Sequence, residues 1–119
     1  MKKVFIADDD SSIVEVIKIV LTEGGFDVVG ETHGKNVEES ILKEMPDLVL
    51  LDVWMSGFDG REITRKLKSN PATKKIPVLL VSALSDTRQI AKDTKADGFL
   101  EKPFDIKKLL DTVKEFALK

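Results

Sequence analysis

Short apolar runs alternate with helix-forming segments along the chain, and this alternation restricts the fold more than any other feature. The apolar runs lie at about residues 3–6, 26–30, 47–51, 77–81 and 97–101, and helical segments follow them at about 11–23, 35–44, 60–69, 86–94 and 106–117. Strands that alternate with helices form parallel sheets with helices on both faces. The pattern therefore predicts an α/β fold with five parallel strands and five helices.

The composition of the runs indicates which strands lie at the centre of the sheet. The first, third and fourth runs are almost entirely apolar, as expected where both faces of a strand are buried. The second and fifth runs carry the acidic residues Asp27 and Glu101, so they fit the edges better. We predict a doubly wound, flavodoxin-like sheet with strand order 2-1-3-4-5, in one domain over residues 1–119.

The bulk composition argues against several classes of function. The net charge is −2, and the lysines and arginines are spread along the chain without a basic stripe that would bind nucleic acid. No apolar run approaches the roughly 20 residues of a membrane span, so we expect a cytoplasmic protein. The chain has no cysteine and one histidine, which excludes a thiolate metal site and leaves little material for a site built on histidines.

Four of the five predicted strands end on a residue that can bind a phosphoryl group or a divalent cation. Asp8 and Asp9 follow the first strand, Asp52 the third, Ser82 the fourth and Lys102 the fifth. In a doubly wound sheet the ligand crevice lies beyond the carboxyl ends of the strands, where the winding direction reverses. The predicted strand order places that point between the first and third strands, so these residues are expected to meet there.

Three carboxylates in one crevice repel one another. At ~4 Å and an effective dielectric constant of ~20, each close pair costs on the order of 4 kcal/mol. A cation must therefore be present, or one carboxyl group must take up a proton. Oxygen ligands without His or Cys indicate Mg²⁺, with Mn²⁺ as an alternative. Lys102 adds an ammonium and Ser82 a hydroxyl donor, and a carboxylate nucleophile in this setting suits phosphoryl transfer.

These residues form an ordered set of motifs that resembles a known family. The set consists of Asp8-Asp9, Leu51-Asp52-Val53-Trp54-Met55, Ser82-Ala83 and Lys102-Pro103-Phe104. It strongly resembles the receiver domain of two-component response regulators over essentially the whole chain, and in particular the stand-alone regulators of the chemotaxis type. The sequence does not show whether an output domain follows Lys119 in the natural protein.

The resemblance implies how the acidic residues are used. Asp52 would be the phosphoacceptor, modified to an acyl phosphate, and would also contact the metal. Asp9 would bind Mg²⁺ directly and Asp8 mainly through water. The third protein ligand in the family is the backbone carbonyl two residues after the acceptor, which is that of Trp54 here.

The resemblance also implies a switch and its partners. Ser82 and Lys102 would each bind a phosphoryl oxygen and so join Asp52 in the chemistry, while Phe99 would turn inward when Ser82 is drawn to the phosphoryl group. The Lys102–Pro103 peptide would be cis. The donor would be a histidine kinase or a histidine phosphotransfer protein, and a target protein would bind the fourth helix, fifth strand and fifth helix. In this role the chain assists its own phosphorylation and dephosphorylation and is not a conventional turnover enzyme.

Two positions depart from the family pattern. The loop after the acceptor usually reads Met-Pro-x-Met-Asp-Gly, whereas here it reads Met55-Ser56-Gly57-Phe58-Asp59-Gly60. Ser56 beside Gly57 removes a constraint on φ, so we expect a more mobile loop. Phe99 lacks the hydroxyl of the commoner tyrosine, so the switch can report only by packing.

Three other functions fit parts of the pattern. The first is a receiver-like interaction module that works without phosphorylation. Only the intact acidic residues and Lys102 argue against it. A Mg²⁺-dependent phosphohydrolase would need a second carboxylate two residues after Asp52, where Trp54 stands. Flavin binding would need a Ser/Thr/Gly phosphate loop after the first strand, where Asp8-Asp9-Asp10 would repel the phosphate.

Overall fold

Five parallel strands form the central sheet of the structure, a computed structural model that describes residues 1–55, 58–83 and 87–118. In chain order the strands are β1 (Lys3–Ala7), β2 (Asp27–Glu31), β3 (Leu48–Asp52), β4 (Trp54–Met55), β5 (Phe58–Asp59), β6 (Val78–Ser82) and β7 (Gly98–Glu101). β4 and β5 pair antiparallel in a separate two-stranded sheet. The other five strands correspond to the five predicted ones, with ends that differ by at most one residue.

The central sheet has the predicted order. Its strands run β2-β1-β3-β6-β7, which is 2-1-3-4-5 once the β4–β5 hairpin is set aside. All five residues of β3 and of β6 are buried, because both faces of these central strands are covered. The strands that carry Asp27 and Glu101 lie at the two edges, which confirms the assignment made from their composition.

Helices cover both faces of the sheet. They are α1 (Ser11–Glu23), α2 (Val37–Glu44), α3 (Gly60–Ser69), α4 (Thr87–Thr94) and α5 (Ile106–Ala117), with a 3₁₀ turn at Gly34–Asn36 before α2. The predicted second helix began too early, since Gly34 and Asn36 are poor helix formers and adopt the tighter turn. The predicted start of the fourth helix at residue 86 lies outside the described residues. None of the helices within the described ranges has the length and apolarity needed to cross a lipid bilayer.

Alternating side chains of the strands divide the core into two clusters. Phe5, Leu51 and Leu80 point to the face covered by α2, α3 and α4. Their neighbours Leu50 and Leu79 point to the face covered by α1 and α5. Because successive side chains of a strand point to opposite faces, unbroken apolar runs supply both clusters at once. The central strands are therefore fixed from both sides, and so are the residues at their carboxyl ends.

Aspartates are the N-cap residues of three helices, all at the same end of the sheet. Asp10 caps α1 by accepting a hydrogen bond from the Ser12 amide at 3.0 Å. Asp59 caps α3 by accepting from the Arg61 amide at 2.9 Å, and Asp105 caps α5. A side-chain oxygen at this position satisfies an amide that has no partner within the helix. These caps fix the backbone that surrounds the strand ends.

Candidate functional site

Three carboxylates meet where the two innermost strands end. Asp8 and Asp9 follow β1 and Asp52 is the last residue of β3, and these strands are neighbours in the sheet. One carboxylate oxygen from each residue lies within 4.8 Å of those of the other two. Asp8 is 1% and Asp52 8% exposed, while Asp9 is exposed to solvent. The predicted acidic cluster is therefore formed, with two of its members inside the protein.

Lys102 brings a positive charge to this cluster from the end of β7. Its Nζ donates to Asp8 Oδ2 at 2.8 Å and lies 4.0 Å from Asp52 Oδ2. The other oxygen of Asp8 accepts a hydrogen bond from the Asp10 amide at 3.0 Å. The Lys102–Pro103 peptide is cis, as the resemblance implied. In this form of the protein the ammonium is therefore held mainly by Asp8, within reach of Asp52.

The surroundings of Asp52 raise the pKa of its carboxyl group. Burial, followed by the negative charge of Asp8, raises its pKa from 3.8 to about 6, and Asp9 adds to this effect. The charge of Lys102 and a hydrogen bond from the backbone amide of Trp54 act in the opposite direction but do not cancel the rise. Three carboxylates share the site with one ammonium, so negative charge remains in excess after Lys102 is counted. Three hard oxygen donors with uncompensated charge fit a divalent cation such as Mg²⁺.

Gly60, the first residue of α3, lets the helix approach the backbone of Asp52. A Cβ atom at this position would overlap the carbonyl oxygen of Asp52 and would lie 3.1 Å from the Cα atom of Val53. The Gly60 amide donates to the Val53 carbonyl oxygen at 2.8 Å. The backbone of Asp52 is thus held between the sheet and the start of α3, and a residue with a side chain would displace one of them.

Ser82 and Phe99 lie on the two strands that follow β3 in the sheet. Asp52 pairs with Val81 across the ladder, so Ser82 lies one residue beyond the level of Asp52 on the adjacent strand, and it is 3% exposed. Phe99 is half-buried on β7 and packs against the core cluster beneath α4. The guanidinium carbon of Arg88 lies 5.5 Å from the centre of its ring. These positions are compatible with the roles that the resemblance implies for Ser82 and Phe99.

Trp54 lies at the rim of the site, on β4, and is covered by an arginine. Its side chain is 51% exposed, and the guanidinium carbon of Arg61 lies 4.3 Å from the centre of the indole ring. Arg61 also binds both carboxylate oxygens of Asp59, with Nη2 at 2.7 Å from Oδ2 and Nε at 3.0 Å from Oδ1. We call these three residues the Trp54–Arg61–Asp59 stack. It connects the β4–β5 hairpin to the first turn of α3.

The hairpin and the stack were not predicted from the sequence. The Ser56-Gly57 pair is a common turn signal and could have indicated a hairpin, but no local pattern indicated that Arg61 would cover Trp54. The expected mobility of the Ser56-Gly57 turn falls outside the described residues. The predicted carboxylates and Lys102 are brought together, with Trp54 and Ser82 beside Asp52, and Phe99 lies on the edge strand.

Sequence comparison connects the chain to response regulators. The profile of the response regulator receiver domain matches residues 4–114. The chain is 34% identical over 116 residues to the response regulator ArlR of Staphylococcus saprophyticus, an alignment that covers 96% of the chain and 51% of ArlR. The chain spans about half the length of the first curated relatives that it matches.

Solved structures support the same assignment. A putative response regulator from Chloroflexus aurantiacus superposes with a TM-score of 0.92 and 28% identity, covering 99% of this chain and 98% of that one. The chemotaxis response regulator CheY4 of Vibrio cholerae gives a TM-score of 0.90 and 27% identity, covering 98% of each chain. Together with the acidic cluster at the sheet's end, these matches show that the chain belongs to the receiver domains of two-component response regulators.

Proposed function

We propose that Asp52 accepts a phosphoryl group from the phosphohistidine of a histidine kinase or a histidine phosphotransfer protein. The observation that carries this proposal is the position of Asp52, a buried carboxylate that shares its crevice with two further carboxylates and one ammonium. Mg²⁺ would be held by the side chains of Asp9 and Asp52 and by the backbone carbonyl of Trp54, with Asp8 acting mainly through water. We propose that the domain works in the cytoplasm, where a donor of this kind would meet it.

The reaction is a displacement at phosphorus. A carboxylate oxygen of Asp52 forms a bond to phosphorus while the phosphorus–nitrogen bond of the donor breaks, and the electron pair returns to the imidazole. With a pKa of about 6, most of Asp52 is ionised at pH 7, so the nucleophile needs no separate base. Bound Mg²⁺ would neutralise the charge of the phosphoryl oxygens. Lys102 Nζ, 4.0 Å from Asp52 Oδ2, is close enough to move from Asp8 to one of those oxygens.

The modification is reversed by water. The water oxygen attacks phosphorus, the bond from phosphorus to the Asp52 oxygen breaks, and the carboxylate leaves as inorganic phosphate forms. We propose a phosphoacceptor of this kind and not a conventional turnover enzyme, because Trp54 occupies the position at which a phosphohydrolase would carry its acid–base carboxylate. Steady multiple turnover of a phosphomonoester by the purified chain would contradict this part of the proposal.

The response would be a shift of α4 and β7. Within the described part of the chain, α4 buries Ile90, Ala91 and Thr94, and the neighbouring Phe99 is half-buried. A helix with so small a buried face is suited to a two-state change. We propose that the surface of α4, β7 and α5 binds the target protein. Amide exchange on this surface should change when beryllofluoride and Mg²⁺ are added, and unchanged exchange would rule out that surface.

The only tryptophan of the chain provides the main test. Addition of Mg²⁺ and then of acetyl phosphate should change the fluorescence of Trp54 in two steps, with intact-mass spectrometry showing one added phosphoryl group. Asp52→Asn should abolish the second step and the adduct. Lys102→Ala should still accept the phosphoryl group, slowly, but without the conformational response. An interaction module that works without phosphorylation would show no adduct in the wild-type protein.

A further inference from the structure

Arg61 makes two different contacts with one planar group at the rim of the site. Its guanidinium carbon lies 4.3 Å from the centre of the Trp54 ring, and the same group binds Asp59 through Nε at 3.0 Å and Nη2 at 2.7 Å. A guanidinium can stack on an aromatic face and bind a carboxylate at the same time because its donors form a rigid, planar fork. The two contacts therefore fix the plane of the indole relative to Asp59.

Asp59 is itself held in place on the protein. Its Oδ1 caps α3 by accepting from the Arg61 amide at 2.9 Å, and its backbone lies opposite Trp54 in the β4–β5 ladder. The Trp54–Arg61–Asp59 stack is thus anchored to α3 at one end and to the hairpin at the other. Gly60, between its two charged members, is in contact with the backbone of Asp52. The stack and the backbone of Asp52 are therefore linked through Gly60, the first residue of α3.

Trp54 is the member of the stack whose backbone belongs to the site. Its amide donates a hydrogen bond to the Asp52 carboxylate, and in the proposed function its carbonyl binds the metal. Ser56 follows Met55 where the family pattern has proline, whose ring would restrict φ. We propose that Arg61 is a positioning residue, which holds the Trp54 peptide through the indole and thereby sets the affinity for Mg²⁺. This inference rests on the proposed function because it takes the Trp54 carbonyl as a ligand.

Charge alone predicts the opposite effect of removing Arg61. Arg61 is a cation on the rim of an acidic site, so its loss should strengthen the binding of another cation or leave it unchanged. Its loss also frees the carboxylate of Asp59, which would again favour Mg²⁺. If Arg61 acts by positioning Trp54, Arg61→Ala must instead weaken Mg²⁺ binding. The sign of the effect therefore separates the two explanations.

Arg65 offers a matched control. It is exposed one turn further along α3 and carries the same charge. Titration calorimetry with Mg²⁺ should show Arg61→Ala binding about 2- to 5-fold more weakly, the equivalent of a cation–π contact of about 0.5–1 kcal/mol. Arg65→Ala should bind as well as the wild type or slightly more tightly. Arg61→Lys should not restore the affinity, since an ammonium cannot stack and form the fork together. Unchanged or tighter binding by Arg61→Ala would overturn the inference.

A measurement without metal separates this inference from the proposed function. In EDTA, amide exchange at Trp54 should be about 2- to 5-fold faster in Arg61→Ala than in the wild type, by the same contact energy. Exchange at Leu50, inside β3, should be equal in the two proteins. If the wild type binds no Mg²⁺, the proposed function fails, and this comparison still shows whether Arg61 holds the Trp54 peptide. Equal exchange at Trp54 in both proteins would overturn the inference by itself.

Discussion

Replacing Asp52 with asparagine should stabilise the metal-free protein at neutral pH, although this residue is the proposed phosphoacceptor. Because burial and Asp8 raise its pKa from 3.8 to about 6, the folded protein holds the proton of Asp52 more tightly than the unfolded chain does. A rise of roughly 2 units, at about 1.4 kcal/mol per unit, lowers the free energy of unfolding by roughly 3 kcal/mol once Asp52 is fully ionised.

The pH dependence follows from the direction of this shift. The stabilisation from a protonated Asp52 is complete below the ordinary pKa of 3.8 and is lost as the pH rises through about 6. Asparagine has no charge to lose, so Asp52→Asn should keep this stability at neutral pH. The difference between the two proteins should be close to zero near pH 3 and reach roughly 3 kcal/mol at pH 7.

Asp59 provides a control with the opposite sign. The hydrogen bonds from the Arg61 side chain hold the pKa of Asp59 below its usual value. Its ionised form therefore stabilises the fold above the ordinary pKa, and this contribution is lost as the pH falls through the lower folded-state pKa. Asp59→Asn should destabilise the protein at pH 7 and have less effect in acid. Asp52, just before the β4–β5 hairpin, and Asp59, its last residue, would thus respond in opposite directions.

Urea unfolding in EDTA, followed by far-ultraviolet circular dichroism between pH 3 and 7, measures both effects. Saturating Mg²⁺ should then stabilise the wild type more than Asp52→Asn, because the variant has lost a charged ligand. The reasoning would be refuted if Asp52→Asn were no more stable than the wild type at pH 7 without metal. A stabilisation of equal size at pH 3 and pH 7 would also refute it, since the cause could not then be ionisation.

Three further substitutions test the geometry of the site. Gly60→Ala should lower the free energy of unfolding by about 1–3 kcal/mol and slow phosphorylation, because its Cβ would displace the backbone of Asp52. A variant with wild-type values in both assays would contradict the close approach of Gly60 to Asp52. Lys102→Met should raise the pKa of Asp52 above about 6, because the ammonium lowers that pKa in the wild type. A carbon-13 titration of the carboxyl group that shows no rise would disprove the effect. Asp10→Ala should cost about 1 kcal/mol as a lost helix cap, while phosphorylation continues at the normal rate; loss of phosphorylation would place Asp10 in the site.

The sheet could be predicted because its determinants are local. Unbroken apolar runs such as those of β3 and β6 are buried on both faces, and a single acidic residue in a run was enough to mark an edge strand. The winding rule for such sheets then brings Asp8, Asp52 and Lys102 together without any knowledge of loops. The position of the site thus follows from the order of the strands.

The finer features depend on contacts that no local pattern encodes. β4 and β5 contain two residues each, too few to show a period, and the contact of Arg61 with Trp54 depends on how α3 packs beside the hairpin. The sequence indicates that the carboxylates repel one another, but it does not indicate that the pKa of Asp52 is raised. In the structure burial, followed by the charge of Asp8, raises the pKa of Asp52, while Lys102 pairs with Asp8.

The ion pair between Asp8 Oδ2 and Lys102 Nζ joins positions that lie 94 residues apart. During translation every acidic residue of the site is therefore synthesised well before Lys102, which partly compensates their charge. Lys102 also follows β7, the edge strand that comes last in the chain. A nascent chain that ends soon after Asp52 therefore lacks the ammonium that pairs with Asp8 and lies 4.0 Å from Asp52, and the complete charge arrangement belongs to the finished domain.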